Sequence, residues 1–272
     1  MKTEDLTPRP PSLERKGEAQ AETVTYGDFA DLLKPESKWL IGGFPGWEFR
    51  EPNAVVIVQN GKLRVAAMPL TRGNGFVQIL DNAKHMYFSK EQFAVPPGGE
   101  ISCELEMRAQ KVNGVPDDFY DGFVSFNMLD FSTGLAIDFF VSNECYATVY
   151  ARLPFPGSPA PEGAGQKNFA LFKEQPLPKG EQQPHRYKIT YNAGAGELSF
   201  YVDDRLVNHE VDVPKMESFI AALGIMTEKD LVDGKSVSCH GQGLVGEWSP
   251  LTVTRRGQGS GARDQGVGVR GN

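Results

Sequence analysis

Apolar and polar side chains alternate at period two along most of this chain, and the 3.6-residue period of an amphipathic helix is almost absent. Between Ile101 and Ala109, Ile101, Cys103, Leu105, Met107 and Ala109 fall on one face, and Ser102, Glu104, Glu106 and Arg108 on the other. This is the pattern of a strand with one buried face. The same alternation predicts strands at 54–59, 62–67, 76–80, 86–89, 122–131, 135–142, 146–153, 186–192, 198–203, 206–211, 220–226 and 245–253. Turn formers such as Gln59-Asn60-Gly61 separate them, as hairpins require. Short helices have room only at 26–33 and 229–232. So many strands in one unit predict an all-β fold of two stacked antiparallel sheets, because a single open sheet of that width leaves one face uncovered.

The stretch 145–153 sharpens this expectation. Ala147, Val149, Ala151 and Leu153 alternate with Tyr146, Thr148, Tyr150 and Arg152, so neither face has the composition of plain solvent surface. The reading is a curved sandwich with the small residues packed on the second sheet. The aromatic and polar set then lines a concave, ligand-holding face. On either side of the folded unit, 26–254, the pattern fades. Residues 1–25 are charged and proline-rich, and predict a disordered leader; residues 255–272 alternate Gly with Arg, Gln and Ser, and predict a flexible tail.

Charge then removes one class of partner. With 35 Asp+Glu against 28 Lys+Arg and a formal net charge of -7, the chain lacks the clustered cations that bind a phosphate backbone, so no nucleic acid is expected. No apolar run is long enough to span a bilayer, and the first twenty residues lack the apolar segment of a secretory signal, which predicts a cytoplasmic protein without a membrane partner. Three widely spaced cysteines, Cys103, Cys145 and Cys239, read as reduced thiols. No zinc-type pairing is present, and neither a metal nor another cofactor is expected. Nothing in the sequence fixes an oligomeric state.

Three segments resemble the concanavalin A-like lectin/glucanase jelly roll and, more distantly, the laminarinase-type glycoside hydrolases. His185-Arg186-Tyr187-Lys188-Ile189-Thr190-Tyr191, followed by Phe200-Tyr201-Val202-Asp203, looks like that family's paired strands. The strand 100–110 looks like the one that opens its sheet, and 135–154 falls where its catalytic strand would lie. The resemblance implies a jelly roll, and it also implies what is missing. Those hydrolases carry E-x-D-x-x-E, and retaining hydrolysis needs two carboxyl groups about 5–5.5 Å apart. The matching stretch here is Ala136-Ile137-Asp138-Phe139-Phe140-Val141, which keeps only the middle carboxylate. The chain is also similar to an uncharacterised bacterial family sharing the segments 125–130, 150–157 and 238–249.

The candidate chemistry gathers in two places. Ser125 and Asn127 share one strand face; with Asp138, Thr148, Tyr150 and Arg152 they would form a polar patch if neighbouring strands pair in register. Arg152 would anchor an anion or carbonyl, Tyr150 would donate or stack, and Asp138 would be the base. Cys239-His240-Gly241-Gln242-Gly243 presents His240 between glycines as a second acid/base candidate. Trp39 and Trp47, in a glycine-rich aromatic segment, are candidates for stacking on a ligand at a groove rim. Asp117, Asp118 and Asp121 form an acidic loop, read as a solvated turn rather than a calcium site. The loop 157–165 is long enough to serve as a lid. Two functions stay open: a non-hydrolytic jelly roll holding a carbohydrate or other small molecule, and a small-molecule enzyme (isomerase, lyase or cyclase) in which His240 and Asp138 exchange protons while Arg152 and Tyr150 orient the substrate.

Overall fold

The computed structural model describes residues 21–27, 29–32, 34–44, 47–77, 80–154, 168–177 and 183–258. The expected lid at 157–165 lies outside them. In chain order the strands are β1 (Ala21–Tyr26), β2 (Trp39–Ile41), β3 (Gly43–Phe44), β4 (Trp47–Glu48), β5 (Val55–Gln59), β6 (Lys62–Ala67), β7 (Gly73–Val77), β8 (Leu80–Ala94), β9 (Glu100–Val112), β10 (Phe123–Asp130), β11 (Leu135–Val141), β12 (Cys145–Arg152), β13 (Phe169–Pro176), β14 (His185–Asn192), β15 (Glu197–Val202), β16 (Arg205–Glu210), β17 (Ser218–Met226), β18 (Gly243–Trp248) and β19 (Leu251–Arg256). Among the described residues the only helical elements are single 3-10 turns at Phe29–Asp31 and Phe119–Asp121. No helix is long and apolar enough to cross a membrane.

The strands form the two antiparallel sheets of a jelly-roll sandwich. One sheet runs β16-β15-β14-β9-β18-β6-β5, with β19 also paired to β9 and β1 to β19; the other runs β13-β12-β11-β10-β17-β8-β2, with β7 on β8. The span 245–253, expected as one strand, is two, because Pro250 has no N–H to continue the ladder. At the break, Ser249 N–H donates to Glu106 O (2.9 Å), and its hydroxyl accepts from Glu106 N–H (2.8 Å). Both pieces therefore stay on β9.

The last residues of the expected leader, 21–25, are strand. Ala21–Tyr26 pairs residue for residue with β19, Val24 opposite Val253 and Tyr26 opposite Leu251. The first five side chains are exposed, so the strand has almost no hydrophobic signature and is held by the backbone ladder along an otherwise open edge. For the same reason Arg255 and Arg256 belong to β19 rather than to the tail.

The main core lies between the sheets. Leu63, Ile101, Cys103 and Ile189 from one side meet Phe126, Ile137 and Phe139 from the other, all fully buried. Burial pushes the Cys103 thiol well up, and all three cysteines are unbridged. Trp248 ties the layers together: its side chain is 1% exposed, and its indole N–H donates to Ser125 O in the opposite sheet (3.1 Å). Gly246 makes room for this ring, since a Cβ there would lie 2.4 Å from the indole.

His85 on β8 supplies a pH-sensitive element. Glu51 N–H donates to its Nδ1 (3.3 Å), while Nε2 is buried without a partner. Burial, assisted by the nearby Arg50 charge, pulls the imidazole down to about 4. The unfolded chain therefore binds a proton near pH 6.5 that the folded chain refuses. Stability falls as pH drops from about 6.5 toward 4, by ~3 kcal/mol in all. In urea melts between pH 7 and 4, His85→Asn, which keeps an acceptor for Glu51 N–H, is expected to lose stability by that much less than wild type.

Candidate ligand cleft

Pairing registers decide which side chains share a face. Across the second sheet one row reads Phe88, Ala222, Asn127, Asp138, Val149, Phe172, and the next reads Met86, Gly224, Ser125, Phe140, Ala147, Glu174. These rows lie on the face turned away from the other sheet. The alternate residues Phe126, Phe139, Thr148 and Tyr150 point between the sheets. Ser125, Asn127 and Asp138 therefore share a face as expected, whereas Thr148, Tyr150 and Arg152 are on the wrong side of their strand.

The reason is spatial. Stacked sheets stand about 10 Å apart, which large side chains must fill, so on β12 Tyr146 and Tyr150 face inward and Ala147, Val149 and Ala151 outward. Tyr150 packs edge-on against Phe169, and burial pushes its phenol up to about 12. The Thr148 hydroxyl accepts a hydrogen bond from Asn208 in β16 (3.0 Å). Arg152 follows their parity at the end of β12, beside Gly134. Trp39 is also core, 2% exposed, with Tyr26 at 5.4 Å and Phe29 at 5.8 Å between ring centroids. Trp47 lies in β4, and its side chain is outside the described residues.

The cleft on the outward face spans about 470 Å³ when the open solvent at its mouth is included. Phe44, Phe49, Phe131 and Leu153 line it with Met86, Phe88, Phe140 and Met226, and the Phe44 and Phe131 rings meet edge to face at 6.0 Å. Met86 N–H donates to Phe49 O (3.0 Å), and Gly42 N–H to Met86 O (2.8 Å), which straps the β3–β4 segment along β8. Phe131 is presented by the β10–β11 turn, where the Asp130 carboxylate accepts from Ser132 N–H (2.9 Å) and from the Ser132 and Thr133 hydroxyls (2.6 and 2.7 Å).

Four polar groups reach this apolar space: Asn127, Asp138, Lys84 and Glu228. The Asn127 amide donates to Ser125 Oγ and Ala222 O (both 3.0 Å), so its geometry is fixed and its carbonyl oxygen is left without a partner among the described residues. Asp138 is 4% exposed, and its Oδ1 is buried with no hydrogen bond. Lys84 is 5% exposed, lies 5.0 Å from the Phe49 ring centroid, and has no carboxylate within 4 Å among the described residues. Burial dominates all three charged groups. It raises Asp138, with Glu228 adding repulsion; it raises Glu228 against the pull of Lys84; and it lowers Lys84 to about 8 despite both carboxyls.

Lys84 and Glu228 were not among the residues singled out from sequence. Lys84 was legible in principle, because it shares strand parity with Met86 and Phe88, an unusual place for a lysine. Glu228 lies just past β17, and only the tertiary fold brings it to the cleft.

His240 does not join Asp138, and it is not among the cleft-lining residues. Its Nε2 lies 2.7 Å from Oδ1 of the fully buried Asp121. That carboxylate also takes Lys229 Nζ at 2.9 Å and the Val115 N–H at 2.7 Å. Burial alone would raise Asp121, but hydrogen bonds from His240, Val115 N–H and Lys229 hold it below the usual range. Lys229 also reaches Asp118. A protein cation thus occupies the place a calcium ion would take in the acidic loop.

Fold and cleft together define a glucanase-type jelly roll with an apolar cleft on its outward sheet face. The chain belongs to a family of unknown function (DUF6081), whose model matches residues 26–257. No curated protein matches it. Among solved structures it is similar to the catalytic domain of an endo-1,3-beta-glucanase (laminarinase) from Thermotoga petrophila RKU-1, at 15% identity, covering 88% of this chain and 100% of that one, with a TM-score of 0.54. It is also similar to an endo-1,3-beta-glucanase from Streptomyces sioyaensis (13% identity, 91% and 99% covered, TM-score 0.53). A third match is the laminarinase catalytic domain from Thermotoga maritima MSB8 (14%, 90% and 100%, TM-score 0.53). At these identities the likeness is one of fold.

Proposed function

We propose that this protein is a non-hydrolytic binding protein whose cleft holds a small molecule with an apolar body and one polar group. The observation that carries this reading is the position of Asp138, which lies between Ala136 and Phe140 on the cleft face of β11. The two positions where the glucanase motif needs carboxyls hold the apolar Ala136 and Val141. Glu228 reaches the cleft from beyond β17, outside that motif. A carbohydrate presents hydroxyls all round; this cleft offers phenyl rings and few polar groups, which favours an apolar body.

A thermal-shift comparison of decan-1-ol with laminaripentaose tests the reading, because a ligand of the native state raises the melting point by mass action. The alcohol is expected to stabilise the protein and the oligosaccharide to leave it unchanged, with no reducing sugar released from laminarin. Phe131→Ser removes one aromatic wall from a half-exposed turn, and is expected to weaken the alcohol roughly tenfold without unfolding the protein. A shift with laminaripentaose alone, or release of reducing sugar, would sink the proposal.

A further inference from the structure

We propose that Lys84 is a ligand-capturing nucleophile, forming a reversible imine with the carbonyl of an aldehyde or ketone carried on an apolar body. This rests on the cleft being a ligand site, and adds the chemical class of the ligand and a covalent step. Lys84 is an amine buried to 5% exposure in a cleft walled by phenylalanines, with no ion-pair partner within 4 Å among the described residues. Two carboxyl groups line the same space, and Asp138 leaves Oδ1 without a hydrogen bond.

That combination disfavours the simpler role of Lys84 as an anchor for an anion. An anionic ligand would need Lys84 as the ammonium, the form that burial in this cleft disfavours. A neutral carbonyl carries no such penalty, and its chemistry uses all three groups. Desolvated lysines in apolar pockets are the nucleophiles of imine formation because burial keeps the amine unprotonated. Here burial brings Lys84 down to about 8, so roughly half of it is free amine at pH 8, against well under one part in a hundred for an ordinary lysine.

The step balances without an oxidant or reductant. The Lys84 lone pair attacks the carbonyl carbon, and the C=O π pair moves to oxygen. Oxygen takes a proton as nitrogen loses one, leaving a neutral carbinolamine. A protonated cleft carboxyl, Asp138 or Glu228, gives its proton to the hydroxyl, which leaves as water while the nitrogen lone pair forms C=N. The remaining N–H proton returns to the carboxylate. The sum is one carbonyl compound and one amine giving one imine and one water. Burial pushes both carboxyls up, Asp138 well up, which favours the protonated form that an acid for the dehydration step requires.

The test is reductive trapping on the full chain. Protein is incubated with decanal and sodium cyanoborohydride at pH 8, and its peptides are mapped by mass spectrometry. Lys84 is expected to gain the mass of decanal less one oxygen at least about tenfold faster than the exposed Lys215, from the difference in free-amine fraction less the lower nucleophilicity of a weaker base. Lys84→Met, close in shape, is expected to lose that label while Lys215 gains its own as in wild type. Asp138→Asn is expected to slow labelling of Lys84 severalfold while Lys215 is labelled as in wild type. Labelling of Lys84 no faster than Lys215, with decan-1-ol still stabilising the protein, overturns the imine and leaves the binding cleft standing. No stabilisation by decanal or decan-1-ol overturns both.

Discussion

Asp121→Ala is expected to lose about 3–5 kcal/mol of stability, the cost of stripping one partner from a buried charged cluster. The carboxylate is fully buried and collects His240, Lys229 and the Val115 N–H; removing it strands a largely buried lysine and a backbone donor together. His240→Ala should cost no more than about 1 kcal/mol, since that ring is half exposed and surface pairs contribute little. The depressed carboxyl also sets a sign with pH. Its contribution is present above the ordinary carboxylate range and is lost as pH falls through the lower folded value. Urea melts at pH 7 for both variants check the ranking. If His240→Ala were neutral in stability yet abolished decanal labelling of Lys84, this histidine would belong to the chemistry after all; the geometry assigns it to holding the end of the sandwich.

Trp248→Ala is expected to cost about 3–5 kcal/mol through the cavity left between the sheets. Trp248→Phe separates the effects, because it keeps most of the volume and loses the hydrogen bond to Ser125 O, for about 1 kcal/mol. The consequence reaches the ligand. Ser125 and Asn127 stand on the cleft face of β10, and the Asn127 amide is fixed by Ser125 Oγ. Loosening the indole bridge frees β10 to shift, so Trp248→Ala, assayed below its melting point, is expected to bind decan-1-ol more weakly than Trp248→Phe. Equal affinities in the two variants would show that the bridge serves stability alone.

Much of this was legible in the sequence. Period-two alternation located most strands to within a residue or two, and a dozen of them left little choice but a two-layer sandwich. The pairing of Asn127 with Asp138 followed from consecutive strands in register, and the loss of the outer carboxyls was visible in Ala136 and Val141 themselves. Strands such as β1 and β13 escaped because their side chains are largely exposed, so that backbone pairing with a neighbour, rather than burial, makes them strands.

What alternation cannot supply is which face looks where. For 145–152 it separates Ala147, Val149 and Ala151 from Tyr146, Thr148 and Tyr150 without saying which set meets the other sheet. Tertiary packing decided that by volume: the large residues fill the gap between layers and the small ones face outward. Packing also brought Lys84, Asp138 and Glu228 into one apolar space from three separate stretches of chain, and seated His240 on Asp121 instead. Sequence determined the layers and their residues; only the folded structure, through sheet separation and the desolvation of charge in a shared cavity, decided which of those residues form a site.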